Sequence, residues 1–258
     1  MATRSFDFGC QMFDLSRMTL KDMAQCGAAL RRLDRGAGSM EEVASRIVRY
    51  FHDELRIGEG TARACLMARF YKTHPYGELD PELQSFATNV MKGEQLTPAV
   101  KCLTLLATAG DHPEWNSRHR SSGHRAIPLP SEQMLERLPM VARLVTQLGV
   151  APHLLFEPDP GLILDLQQET FNVFHVPEAL GSPYIPAQDE FVIPFGVRSA
   201  IGFGGVLPTG DLFAVILFTS IPCSRATADL FKPLALSAKM AVLPFSSGPV
   251  FHAGDNPA

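Results

Sequence analysis

The sequence predicts an α+β fold, in which an antiparallel sheet is flanked by helices and preceded by an N-terminal helical extension. Two observations support this class. Segments with helical spacing and helix-capping residues stand near both ends of the chain, with strand-like apolar runs between them. Residues 199–207 and 211–220 are two such runs joined by a Pro-Thr-Gly turn, a pattern typical of a β-hairpin.

The N-terminal part predicts two helices behind a loose arm. Residues 1–15 have no clear period and predict a flexible arm. Residues 16–35 place apolar side chains near helical spacing and end in a Gly-Ala-Gly stop. Ser39 and Glu42 have the form of a capping box, and residues 39–56 form the clearest amphipathic helix.

The middle of the chain alternates predicted strands and helices. Strands are expected at 63–71 and 99–108, with a helix that starts at Asp80 between them. A long polar loop follows. Ser131 then opens a helix to residue 148, in which Pro139 is expected to cause a kink.

The C-terminal part completes the predicted sheet. The further elements are a short helix at 162–170, strands at 171–176 and 190–195, the hairpin, and a last helix at 224–242 bent at Pro233. The second hairpin run is apolar on both faces, so we expect it in the centre of the sheet. These elements predict a single domain over 16–243 and a flexible tail over 244–258.

Composition limits the classes of partner. A net charge of −4 offers no positive field for nucleic acid or for anionic lipid. The longest apolar run, at 212–218, is far shorter than the roughly 20 residues of a membrane helix. Five scattered cysteines without a CxxC motif indicate reduced thiols. We therefore expect a cytoplasmic protein with no nucleic-acid or membrane partner.

Two long stretches carry a family resemblance: KCLTLLATAGDHPEWNSRHRSSGHRAIPLPS (101–131) and TFNVFHVPEALGSPYIPAQDEFVIPFGVRSAIGFGGVLPTGDLFAVILF (170–218). With segments 41–55 and 70–87, they resemble the N-terminal GAF-like sensor region of bacterial signalling proteins, which is often joined to PAS domains and histidine kinases. The resemblance covers roughly residues 40–243. It implies a GAF-like sheet between helices and a sensory role, and it supplies no catalytic residues.

The loop at 111–125 concentrates side chains able to bind a ligand. Arginines offer fixed donor forks for a carboxylate or phosphate, and a tryptophan face stacks on a ring or a cation. The predicted ligand-binding residues of this loop are Trp115, Asn116, Arg118, His119, His124 and Arg125. A pocket capped by this loop is our predicted site. The alternative is a solvated basic loop that Trp115 anchors to the core.

Three further residues complete the predicted site. Cys102 and His175, with the loop histidines, are candidates to surround a metal or haem, although the short paired spacings of zinc sites are absent from the sequence. Cys102 is also the candidate nucleophile of a small cytosolic enzyme, against which stands its apolar strand context. Tyr184 lies in a segment, 181–186, that forms either a lid over the pocket or a rigid turn.

The leading functional prediction is a non-catalytic regulatory domain that binds a small molecule or a protein signal. The cofactor is not identified by the sequence. The apolar stripes on the first two helices predict a homodimer interface shared with the last helix. A separate histidine kinase or another output protein is the expected signalling partner. The enzyme, and a haem- or metal-binding redox sensor, are the alternatives.

Overall fold

The computed structural model describes residues 12–92, 95–121, 123–148, 172–248 and 250–251. Its centre is a six-stranded antiparallel sheet with the order β5-β4-β3-β8-β7-β6. The strands of this sheet are β3 (Cys65–Pro75), β4 (Lys101–Gly110), β5 (Ala126–Leu129), β6 (Val173–Val176), β7 (Ser199–Val206) and β8 (Leu212–Thr219). A separate short parallel pair joins β1 (Phe13–Asp14) to β2 (Leu55–Arg56).

Helices pack around this sheet. They are α1 (Leu20–Leu30), α2 (Met40–Glu54), α3 (Pro81–Val90), α4 (Glu132–Glu136), α5 (Pro139–Gln147), α6 (Arg225–Asp229) and α7 (Lys232–Val242). The predicted class, an α+β fold with an antiparallel sheet flanked by helices, is confirmed by this architecture. The prediction that the second hairpin run lies centrally is also confirmed, because β8 pairs with β3 on one side and β7 on the other.

One face of the sheet is covered by α1, α2 and α7. Helix α2 begins as the sequence predicts, since the Ser39 hydroxyl accepts a hydrogen bond from the Glu42 amide. The Glu42 carboxylate accepts from the amide of Gly38 rather than from that of Ser39. The apolar stripe of α2, including Ile47 and Phe51, is fully buried against the sheet. Burying such a side chain contributes about 1.5–3 kcal/mol.

The opposite face carries a second core, built from α5, from residues 188–195 and from alternate residues of β3, β4 and β8. Met67 and Ile216, on the two central strands, are nearly fully buried there. A cavity lies on this face, between the sheet, α5 and residues 188–195.

Three predicted elements differ from the structure. The strand expected at 190–195 is wrong: residues 188–195 form helical turns, and Gly196 ends them in a left-handed conformation with φ of +65°. Pro139 and Pro233 do not bend continuous helices. Each lies in the first turn of a new helix, α5 or α7, where its missing N–H costs no hydrogen bond. The helix expected at 162–170 lies outside the described residues.

Residues that the sequence assigns to the flexible arm and tail pack against the domain. Phe13 and Leu15, in the expected arm, are buried in the first core. In the expected tail, the Phe251 ring stacks on His74 at 5.3 Å between centroids. The division into arm, domain and tail as a whole stays a prediction. Within the described residues, no helix has the length and apolarity to cross a bilayer.

Candidate functional site

The cavity has a volume of about 450 Å³ and lies on the face of the sheet that α5 and residues 188–195 cover. This volume lies within the range of about 300–1,000 Å³ found for ligand pockets. Strand β3 supplies three alternating residues to its floor, Met67, Arg69 and Tyr71. The rest of the apolar wall comes from neighbouring elements and includes Leu103, Ile127, Leu138, Val141, Leu144, Ile185, Ile216 and Phe218.

One end of the cavity is a cluster of aromatic rings. Trp115 lies edge-to-face with Phe195 at 4.6 Å and with Phe191 at 5.7 Å between ring centroids. Phe191 in turn meets Phe218 of β8 at 5.0 Å. Edge-to-face pairs of this kind stabilise one another and form a rigid apolar wall. All four rings line the cavity, so this end is suited to a flat apolar group.

Local sequence explains how Trp115 reaches this wall. The ring packs over Gly110 at the end of β4, where an added Cβ would lie only 2.7 Å from the Cε3 atom of Trp115. Asn116 fixes the turn, because its side-chain amide donates to the carbonyls of Gly110 at 2.8 Å and His112 at 2.9 Å. Asn116 therefore positions Trp115 and does not itself line the cavity.

Arg69 is the main polar group on the cavity floor. Its guanidinium donates to the hydroxyls of Tyr71 and Ser121, both at 3.2 Å. Its Nε is buried and has no hydrogen-bond partner in the part of the chain that the structure describes. Among the described residues, no carboxylate lies within ion-pair distance of Arg69. A half-buried cation that no described carboxylate pairs with is unfavourable, and it makes this part of the cavity attractive to an anion.

His124 lines the same cavity in an unusual backbone conformation. Its φ is +60°, in the left-handed region that non-glycine residues rarely adopt. Backbone strain of this kind costs on the order of 1–3 kcal/mol and is concentrated at functional sites. The ring is accessible to solvent, yet the protein atoms around it and the charge of Arg69 lower the pKa of His124, desolvation being the larger cause. The cavity thus holds a neutral imidazole beside an arginine.

Two charged residues complete the lining of the cavity. Arg137 follows α4 and Glu190 belongs to the helical turns at 188–195. Both are exposed, so their charges are partly screened by water. Arg69 is thus the less exposed of the two arginines that line the cavity.

Of the nine residues that the sequence predicts for the site, two line the cavity, namely Trp115 and His124. Three basic residues of the same loop point to distant carboxylates instead. The Arg118 guanidinium donates to Glu41 of α2 at 2.6 Å, and His119 and Arg125 lie beside Glu82 of α3. These contacts hold the loop against the helices, and the three side chains do not line the cavity.

Asn116, described above, does not line the cavity, and the remaining three predicted residues also lie apart from it. Cys102 is fully buried under α3, and burial raises the pKa of its thiol to about 12. His175 hydrogen-bonds to the carbonyl of Cys223 at 2.9 Å. Tyr184 lies under the Arg143 guanidinium, 3.9 Å from its ring centroid, while its neighbours at 185–187 reach the cavity wall. None of the three faces the predicted pocket.

Sequence reasoning missed Arg69 and Tyr71. A signal for them was present, since Met67, Arg69 and Tyr71 alternate in a predicted strand and must share one face. An arginine in the middle of such a strand requires a polar partner or a cavity. Among the described residues, no three His, Cys, Asp or Glu side chains converge as a metal-binding group.

Comparisons with known proteins add little to this geometry. No protein family model matches the chain, and no curated protein sequence matches it. One similar solved structure is the phycoerythrobilin-bound GAF domain from a cyanobacterial phytochrome. It is 11% identical, with a TM-score of 0.38 over 90% of this chain and 97% of that domain. At this level of similarity the comparison carries no argument about a ligand, and the fold class rests on the sheet topology described above.

Proposed function

We propose that the chain is a regulatory domain that binds a small organic molecule in the cavity between the sheet, α5 and residues 188–195. The observation that carries this proposal is the cavity of about 450 Å³, with an aromatic wall at one end and Arg69 on its floor. A largely apolar cavity with a few convergent polar groups is the usual form of a ligand site.

The proposal includes a route by which ligand binding in the cavity affects the helices on the other face of the sheet. The cavity floor is formed by β3 and β8, and the opposite face of the same sheet packs against α2 and α7. Helices α1 and α7 are joined by a hydrogen bond from Arg31 to the Ser237 hydroxyl at 2.9 Å. A ligand that shifts the central strands therefore acts directly on the layer of helices that would contact a partner protein.

The partners belong to this proposal as well. Bacterial signal transduction, a cytoplasmic location, a homodimer and a separate histidine kinase or other output protein all stay predictions. The apolar stripe of α2 that motivated the dimer is buried within the chain, so the dimer interface now rests on exposed apolar side chains of α1 and α7. These are Leu20, Leu236 and Met240.

The alternative functions have less support. A thiol nucleophile at Cys102 requires deprotonation, which burial opposes at neutral pH, and the cavity described above is not lined by Cys102. Two of the histidines proposed for a metal or haem have separate local partners, namely Glu82 for His119 and the Cys223 carbonyl for His175. The regulatory proposal uses the cavity that the chain actually forms.

The proposal is tested by identifying the small molecule that is purified together with the protein. Protein purified from its own organism is denatured, and the released small molecules are quantified by mass spectrometry. We expect close to one equivalent of an organic molecule per chain. Ile216→Trp fills the cavity and is expected to release none, whereas Leu180→Trp, at an exposed site, is expected to match the wild type. Equal yields from both variants would contradict the proposal.

A further inference from the structure

The polar end of the cavity has the chemistry of a carboxylate site. Two other cations buried in this protein each have a carboxylate partner: Lys72 pairs with Asp211 and Arg118 with Glu41. Arg69 differs, since its two hydrogen-bond acceptors in the described part of the chain are neutral hydroxyls. Among the described residues, the charge of this guanidinium is therefore not balanced by a paired carboxylate, and a planar bidentate anion is the ligand group that matches its geometry best.

The apolar end limits the size and shape of the rest of the ligand. In the sheet, Met67 pairs with Phe218 and Arg69 pairs with Ile216. Two residues along a strand span about 7 Å, so the backbone positions of Phe218 and Arg69 are offset by about 7 Å along the sheet. A ligand that uses both ends must carry its charged group only a few bonds away from a flat apolar body.

We infer that the ligand is an organic carboxylate with a planar apolar body, bound through Arg69 at one end and the Trp115, Phe191 and Phe218 rings at the other. This inference rests on the proposed function, since it assigns a chemical class to the ligand of the same cavity. His124 adds a neutral donor or acceptor beside the carboxylate, held there by its left-handed backbone.

Isothermal titration calorimetry with three probes tests the inference on the wild-type protein. Phenylacetate carries both features, phenylacetamide lacks the charge, and acetate lacks the ring. We expect phenylacetate to bind at least about tenfold more tightly than either of the other two. Binding of phenylacetamide as tight as that of phenylacetate would overturn the carboxylate assignment, and equal binding of acetate would overturn the apolar part.

Two variants test whether Arg69 causes the preference for the carboxylate probe. Arg69→Met is expected to remove the preference for phenylacetate over phenylacetamide, while Arg49→Met, at an exposed position of α2, is expected to retain it. A preference that survives Arg69→Met would overturn the inference. The wild-type comparison stands even if Arg69→Met does not fold.

The two proposals fail in different ways. If protein purified from its own organism releases a neutral or cationic molecule, the ligand class is overturned and the regulatory proposal survives. If none of the three probes binds, the class is overturned, and the released-molecule experiment alone decides the proposed function. If that experiment also finds no molecule, both proposals are overturned.

Discussion

His74 predicts a specific loss of stability in mild acid. The side chain is 3% exposed, and neither ring nitrogen has a hydrogen-bond partner of good geometry among the described residues. Burial, assisted by the nearby charge of Lys72, lowers the pKa of His74 to about 3. The folded protein therefore holds the imidazole neutral, while in the unfolded chain it binds a proton near its ordinary pKa of about 6.5.

The sign and size of the effect follow from this difference. Because the folded pKa is depressed, the contribution of His74 to stability is complete above the unfolded pKa and is lost as the pH falls toward the folded one. Between pH 7 and pH 5 the unfolded state takes up most of one proton, which lowers the free energy of unfolding by about 2 kcal/mol.

Urea denaturation of the wild type and of His74→Phe at pH 7 and pH 5 measures this contribution. The variant is expected to lose about 2 kcal/mol less than the wild type between the two pH values. Any packing cost of the larger ring cancels, since it is present at both pH values. A difference below about 0.5 kcal/mol between the two proteins would refute a neutral buried His74.

Three more predictions concern the sheet and the surface. Gly204→Ala places a Cβ 2.1 Å from the carbonyl oxygen of Phe213, so we expect a loss of about 3 kcal/mol or more in thermal or urea unfolding. Asp211→Asn leaves Lys72 buried without its carboxylate, and urea denaturation is expected to show a loss of about 3–5 kcal/mol. If the chain is a homodimer through α7, light scattering gives a dimer mass for the wild type and a monomer mass for Leu236→Arg.

Control variants separate these effects from a general loss of stability on substitution. At Gly123 an added Cβ meets nothing within 4 Å, so Gly123→Ala is expected to change stability by less than about 0.5 kcal/mol. Gly204→Ala that is as stable as Gly123→Ala would contradict the close approach of β7 and β8. Asp211→Asn with wild-type stability would contradict the buried ion pair, and a wild-type monomer at micromolar concentration would contradict the dimer.

Local signals in the sequence were sufficient for much of the fold. The Ser39 cap, the Asp80-Pro81 helix start and the hairpin around Gly210 act over a few residues, and each stands in the structure where the sequence places it. The strand expected at 190–195 failed because its apolar residues also suit a helical turn. The side chain of Gln188 supports that turn by donating to the Ala179 and Ile185 carbonyls.

The site was harder to predict, because whether a polar side chain faces the cavity depends on partners that are distant in the sequence. Arg118 and Arg125 look like ligand-binding residues in the sequence, yet carboxylates of α2 and α3 lie beside them. The reverse holds for Arg69, which looks unremarkable within a predicted strand. Only the assembled sheet shows that no described carboxylate lies beside it, and pairings between distant segments are not encoded in local spacing.

The fluorescence of Trp115 tests the central claim most directly, because this residue is the only tryptophan of the chain and lines the cavity. The molecule released from the purified protein is titrated back into ligand-free protein while the emission is followed. We predict a saturable change with a stoichiometry of one molecule per chain. Binding that leaves the emission of Trp115 unchanged, or no binding at all, would contradict a ligand site in this cavity.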